Sequence, residues 1–177
     1  MARGESSREK ILDAASDLAF RQGAAHLSLD AVAACAGVSK GGLLYNFPNK
    51  AALMKALVEK YIGDFRARLE EATDGDDSNL PVRYLDLSAA KLEQETPSSS
   101  GLLAALAEDP SLLLPVKAFN RDLVDRMKAG GKDAGAILVL FLVVEGMRAQ
   151  SVFGTAMLEP EERSLVLEKV ASLIGAA

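Results

Sequence analysis

Between Gly37 and Lys50 the chain gathers side chains suited to holding a polyanion: Lys40, Tyr45, Asn46 and Lys50, with Gly41, Gly42 and Leu44 among them. Ammonium, phenol and amide groups donate to phosphate oxygens, and a lysine also reaches guanine O6 or N7. A phosphate-cradling loop is the other use of Gly41-Gly42, but no predicted strand precedes them and no Gly-x-x-x-x-Gly-Lys pattern exists. Bond-making chemistry finds little material. One histidine, His26, and one cysteine, Cys35, exclude a disulfide framework, a multi-cysteine zinc site and every motif needing two histidines. No metal, no cofactor and no catalytic set are therefore expected. Cys35 is read as a small filler at the edge of an apolar helix face, with redox sensing as its alternative; His26 is read as a surface or satisfied loop residue.

These residues need helices to position them, and helical signals dominate the chain. Ser6 or Ser7 can cap a helix over about 8–22, with Ile11, Ala15, Leu18 and Ala19 at helical spacing. Ser28 can cap a second helix from Leu29, whose apolar face is Leu29, Val32, Ala33 and Ala36, with Asp30 in its first turn. Gly37 supplies a turn that needs positive φ. Ser39 then caps a short helix over about 40–46, which Pro48 ends. A helix, a tight turn and a second helix whose leading end faces outward form the geometry of a helix-turn-helix in the major groove. Val38 and Leu43 would lock the two helices, Phe47 would enter the core, and Tyr45 would reach DNA. Beyond Asn49, helices are predicted over about 50–72, 80–95, 98–108, 111–129, 133–153 and 160–174, separated by Thr73–Asn79, Thr96-Pro97, Asp109-Pro110, Gly130-Gly131 and Gly154–Pro160.

The run Ala33-x-x-Ala36-Gly37-Val38-Ser39-Lys40-Gly41-Gly42-Leu43-Leu44-Tyr45-Asn46-Phe47-Pro48-Asn49-Lys50-x-x-Leu53 resembles the TetR/AcrR family of bacterial transcriptional regulators. The likeness reaches back to Ile11-Leu12-x-Ala14-Ala15 and covers about 60 residues. It implies an all-α homodimer with an N-terminal three-helix helix-turn-helix domain, residues 1–48, joined by a long helix to an effector-binding and dimerisation domain, residues 49–177. By position it implies that Ser28 and Ser39 cap helices and contact phosphate. Lys40, Gly41, Gly42 and Leu44 match base-facing places, and Tyr45, Asn46 and Lys50 match phosphate-contacting ones. Leu44 stands where the family commonly has Tyr, and Gly42 where it commonly has Thr. Both changes remove hydrogen-bonding groups and shift direct readout onto Lys40 and apolar contact with a thymine methyl.

Charge and composition bear on where a nucleic acid would be met. The net charge is −5, yet residues 1–60 carry eight basic groups against six acids. An acidic whole with a mildly basic start suits a nucleic-acid contact confined to the N-terminus. Aromatic residues make up 5% with no Trp, too few for an extensive base-stacking platform. The first ten residues are polar and charged, so no export signal is expected. The longest apolar run, Ala136–Val144, falls short of the ~20 residues that span a bilayer and is read as a buried helix. The expected place is the cytoplasm, at the nucleoid, with no membrane partner.

The C-terminal part offers candidates for two further tasks. Glu145 and Arg148 lie three apart within an apolar helix, either as an intrahelical ion pair at a dimer surface or as a polar group lining an effector pocket. Phe65, Leu103, Leu106, Phe119, Leu123, Met127 and Phe141 would line such a pocket, or plain core, and imply an uncharged or weakly charged, largely apolar effector. The last two predicted helices, 133–153 and 160–174, are the expected dimer interface: Val166, Val170, Leu173 and Ile174 form a stripe on the last one, which beside the nearly all-apolar 136–144 stretch could close a four-helix bundle with a second copy. A helical interaction module without DNA binding and a small helical enzyme are the rival readings. Lys40, Tyr45 and Lys50 count against the first, and the lack of a convergent acid, base and nucleophile counts against the second.

Overall fold

A computed structural model describes residues 6–22, 27–93, 110–130 and 133–175. Eight α-helices occur among these residues: α1 Ser7–Gln22, α2 Leu29–Ala36, α3 Lys40–Asn46, α4 Lys50–Thr73, α5 Leu80–Glu93, α6 Leu113–Ala129, α7 Ala134–Phe153 and α8 Pro160–Leu173. Short 3-10 turns, Asp77–Asn79 and Pro110–Leu112, lead into α5 and α6. No strand occurs among the described residues. The helix expected over 98–108 lies outside them.

The helix boundaries follow from local chemistry. Ser6 and Glu9 cap α1 reciprocally: each side chain accepts from the other's backbone N–H. The Ser28 hydroxyl accepts from Ala31 N–H to start α2, and Gly37, at φ 65°, closes it. Ser39 accepts from Gly42 N–H to start α3, and Asn49 accepts from Ala52 N–H to start α4. Asp133 caps α7 and Gly154, again at φ 65°, ends it. Pro160 occupies the first turn of α8 behind a reciprocal Glu159–Glu162 cap.

The helices form two compact units. The first holds α1, α2, α3 and α4 as far as Ile62, with residues up to Val116 leading into α6. Its core is Ile11, Leu12, Ala15, Val32, Ala33, Leu43, Phe47, Leu53, Met54 and Val58, with Leu112 packed among them. Leu43 is fully buried and Val38 packs beside the core, so α2 and α3 are locked as the sequence predicts. The second unit holds α4 from Gly63, α5, α6 from Lys117, α7 and α8. Within it α5 packs on α7 and α8, and α7 packs on α8. Tyr84, Leu123, Met127, Ile137, Leu140 and Ile174 are among its most deeply buried side chains.

Candidate nucleic-acid interface

Two side-chain caps, Ser28 and Ser39, and the left-handed Gly37 frame α2 and α3 without using the outward side chains. Tyr45 is 91% exposed, whereas Phe47, two residues on, is 2% exposed. The Phe47 ring fills the core beneath the Arg8 guanidinium, which lies 5.3 Å from the ring centroid. Burying the phenyl and leaving the phenol outside spends no apolar surface on Tyr45 and leaves it for a partner. Leu44 is exposed at 37%, and Lys40 and Gly41 are exposed beside it. These four are the exposed residues of α3.

The other candidates are partly engaged. Ser28 and Ser39 are exposed, with their hydroxyls accepting at the caps. Gly42 is half-buried, and a Cβ there would lie 3.3 Å from Ser39 Oγ, so its small size serves the cap. Asn46 is half-buried, and its side-chain amide donates to Gly42 carbonyl at 2.9 Å. Lys50 is half-buried at the start of α4. Sequence reasoning missed Asp30 as part of this surface. Its carboxylate lies 2.8 Å from Lys40 Nζ across the turn. Cys35 is exposed and fills no core position, because the buried face of α2 is Val32 and Ala33. His26 lies outside the described residues.

In the second unit, Phe65, Tyr84, Phe119 and Phe141 form a linked aromatic set. Phe65 meets Tyr84 and Phe119 edge-on at 6.2 and 6.1 Å, and Tyr84 stacks on Phe141 at 6.3 Å. Arg148 Nη1 donates to Glu145 Oε1 at 2.6 Å, and its guanidinium lies 5.7 Å from the Phe65 centroid. Tyr84 hydroxyl donates to the same carboxylate oxygen at 3.4 Å. Burial pushes the Tyr84 phenol well above its usual pKa, and the Glu145 carboxylate pushes it further, so it stays protonated. Glu145 and Arg148 are thus an ion pair, less than a third exposed, set against aromatic faces. Leu123 and Met127 are buried on α6; Leu103 and Leu106 lie outside the described residues. Tyr84 is not identifiable from the sequence, since 61 residues separate it from Glu145.

Two residues of the expected dimer seam need correction. Val170 and Ile174 are 3% and 2% exposed and belong to the chain's own core. An amphipathic stripe on α8 faces inward first, because α5 and α7 pack there. Val166 is half-buried and Leu173 is exposed. The two helices expected at the interface do expose apolar side chains, Leu138, Val139 and Leu142 on α7 and Leu165 and Leu173 on α8. The buried-helix expectation for Ala136–Val144 also changes. Only 22% of Ala134–Ser151 is buried, and that stretch is long and apolar enough to cross a membrane by length and composition alone. Its two charged residues, Glu145 and Arg148, neutralise each other.

The helix-turn-helix and the helical second unit both correspond to known sequence families. Residues 11–57 match the bacterial regulatory proteins of the tetR family, and residues 80–175 match the tetracyclin repressor-like C-terminal domain. The chain belongs to the TetR family. It is 33% identical over 72 residues to the HTH-type transcriptional regulator TtgR of Pseudomonas putida, a match covering 40% of this chain. The same match spans only 34% of that relative's length. A transcriptional regulator from Rhodococcus sp. Rha1 shares the fold with a TM-score of 0.75 at 22% identity, covering 96% of each chain. The multidrug binding protein EbrR, complexed with malachite green, shares it with a TM-score of 0.73 at 23% identity, covering 94% of this chain and 97% of its own. TetR-family membership accounts for the all-α architecture, an N-terminal helix-turn-helix followed by a helical C-terminal part.

Proposed function

We propose that this TetR-family chain is a ligand-responsive transcriptional repressor that binds a palindromic operator as a homodimer. Residues 1–48 would be the DNA-binding domain and residues 49–177 the effector-binding and dimerisation domain, working in the cytoplasm at the nucleoid. The observation that carries this reading is the outer face of α3: Lys40, Gly41, Leu44 and Tyr45 project from a helix whose frame is fixed by caps and core. Tyr45, Asn46 and Lys50 hold phosphates and set register, with Ser28 and Ser39 adding hydroxyls at the helix starts. Lys40 supplies base contact, and Leu44 meets a thymine methyl.

The exposed row Leu138, Val139, Leu142, Leu165 and Leu173 supports the homodimer. Two copies related by a two-fold axis cover that row with a four-helix bundle of α7 and α8, which also removes any need for a membrane. The aromatic set with Glu145 and Arg148 is the effector site, with Leu123 and Met127 as apolar lining. It takes a largely apolar small molecule oriented by one polar contact. EbrR's complex with malachite green supports this class of ligand. Release of DNA requires the effector to bind the DNA-free arrangement more tightly than the DNA-bound one. Helix α4, which contributes residues to both units, is the element that links effector to head.

A mobility-shift assay on the DNA upstream of the protein's own gene tests the reading. The wild type shifts the fragment, Tyr45→Ala does not, and an effector found by thermal-shift screening raises the melting temperature and abolishes the shift. A Tyr45→Ala protein that binds like wild type contradicts the interface.

A further inference from the structure

Asp30 and Lys40 stand on the first turns of α2 and α3, ten residues apart, and face each other across the Gly37 turn. Lys40 Nζ lies 2.8 Å from Asp30 Oδ1 and 3.1 Å from Oδ2, and the two side chains are 62% and 70% exposed. A pair this exposed adds little to folding. Its backbone frame is nonetheless rigid, because Ser28 and Ser39 cap both helices and Leu43 is fully buried between them. The lysine expected to read a base is therefore held by a carboxylate on the same surface.

We propose that Asp30 is a specificity-determining residue, holding the Lys40 ammonium for a base edge and away from phosphate; this rests on the DNA-binding reading above. A free lysine pairs with the nearest phosphate whatever the sequence, which adds affinity without selectivity. An ammonium has three N–H donors, so Lys40 can keep Asp30 and still donate to guanine O6 or N7. Asp30, acceptor-only when ionised, can accept from cytosine N4. Side by side, the two groups complement the major-groove edge of a G·C pair. Asp30 thus lowers affinity for arbitrary DNA and raises the ratio of specific to non-specific binding.

The test uses full-length wild type, Asp30→Asn, Lys40→Ala and the double variant. Each is titrated by fluorescence anisotropy onto a random-sequence duplex across a salt series, and each selects sites from a randomised duplex library. Asp30→Asn keeps the side-chain size and frees Lys40. It should bind random duplex several-fold tighter at low salt, with a dependence on log salt steeper by about one counterion per half-site. Its selected sites should lose a G·C preference at one position in each half-site. In the Lys40→Ala background, Asp30→Asn should leave the salt slope where Lys40→Ala alone puts it. Unchanged slope and unchanged selected sequence for Asp30→Asn overturn the proposal. A steepening equally large without Lys40 also overturns it, because Asp30 would then act by plain repulsion. A wild type that binds no duplex removes the DNA-binding reading itself, and the proposal with it.

Discussion

Replacing Leu142 by glutamate separates folding from dimerisation. Leu142 is 68% exposed on α7, in a row with Leu138 and Val139 at 43% and 42%. A leucine side chain contributes about 1.5–3 kcal/mol when fully buried, so completing its burial against a second copy adds about 1–2 kcal/mol per protomer. A two-fold axis doubles that. Glutamate at the same place loses the gain and leaves an unpaired carboxylate in each half of the seam, at a cost of several kcal/mol. A total loss of at least about 5 kcal/mol raises the dimer Kd more than about a thousandfold. Sedimentation velocity at micromolar concentration should show wild type as a dimer and Leu142→Glu as a monomer with helical circular dichroism. Val170→Glu should behave differently: Val170 is 3% exposed within one chain, so the charge enters the core and the variant loses its cooperative melt. Leu114, similarly exposed at 65% but on α6, supplies the control, and Leu114→Glu should remain dimeric. An intact Leu142→Glu dimer at micromolar concentration refutes the seam.

Other consequences follow from single residues. Phe47→Ala should cost about 3–5 kcal/mol in chemical denaturation, whereas Tyr45→Ala should fold within about 0.5 kcal/mol of wild type; equal effects would contradict the inside–outside division of α3. Gly37→Ala meets no atom within 4 Å, so only its positive φ matters; a loss of about 1–2 kcal/mol in thermal melting is expected, and none would argue against the left-handed cap. Lys50→Ala should weaken all operators alike and flatten the salt dependence by about one counterion per half-site; an unchanged slope in anisotropy titrations rejects its phosphate role. Arg126 donates to both Asp77 oxygens, at 2.7 and 3.0 Å, and this bonding holds the carboxyl below the usual aspartate range. The stabilisation is therefore fully present above the unfolded aspartate pKa of about 3.9 and is lost as pH falls through the lowered folded value. Asp77→Asn should cost about 1 kcal/mol at pH 7, screened because the pair is partly exposed, and progressively less as the medium is acidified below that pKa. A cost that does not shrink would contradict the pairing.

What the sequence reveals here depends on how local the determining physics is. Caps at Ser28, Ser39, Asn49 and Asp133 and left-handed glycines at Gly37 and Gly154 act within four residues, so helix starts and stops are readable in order. The division between Phe47 and Tyr45 is also local, because Tyr45 lies within α3 whereas Phe47 is the C-cap at which the chain leaves the helix. The pairs Asp30–Lys40, Tyr84–Glu145 and Asp77–Arg126 are not, since 10, 61 and 49 residues separate the partners. Helix α7 is apolar on nearly every side between Ala136 and Val144, so periodicity marks no inner face. Only the packing of α5 and α8 leaves Leu138, Val139 and Leu142 outside. The α8 stripe misleads for the opposite reason: Val170 and Ile174, four apart, have the spacing of a seam but fill the chain's own interior.

In the proposed dimer, two copies of the α2–α3 head read two half-sites on one duplex. Hydroxyl-radical footprinting of the wild-type protein on its own upstream DNA measures this directly. Two protected patches on one face of the duplex, with centres one helical turn of about 34–36 Å or a multiple of it apart, are expected. Both should vanish together in Leu142→Glu at concentrations where the wild type protects fully. A single protected patch, or two that persist unchanged in that variant, contradicts the claim.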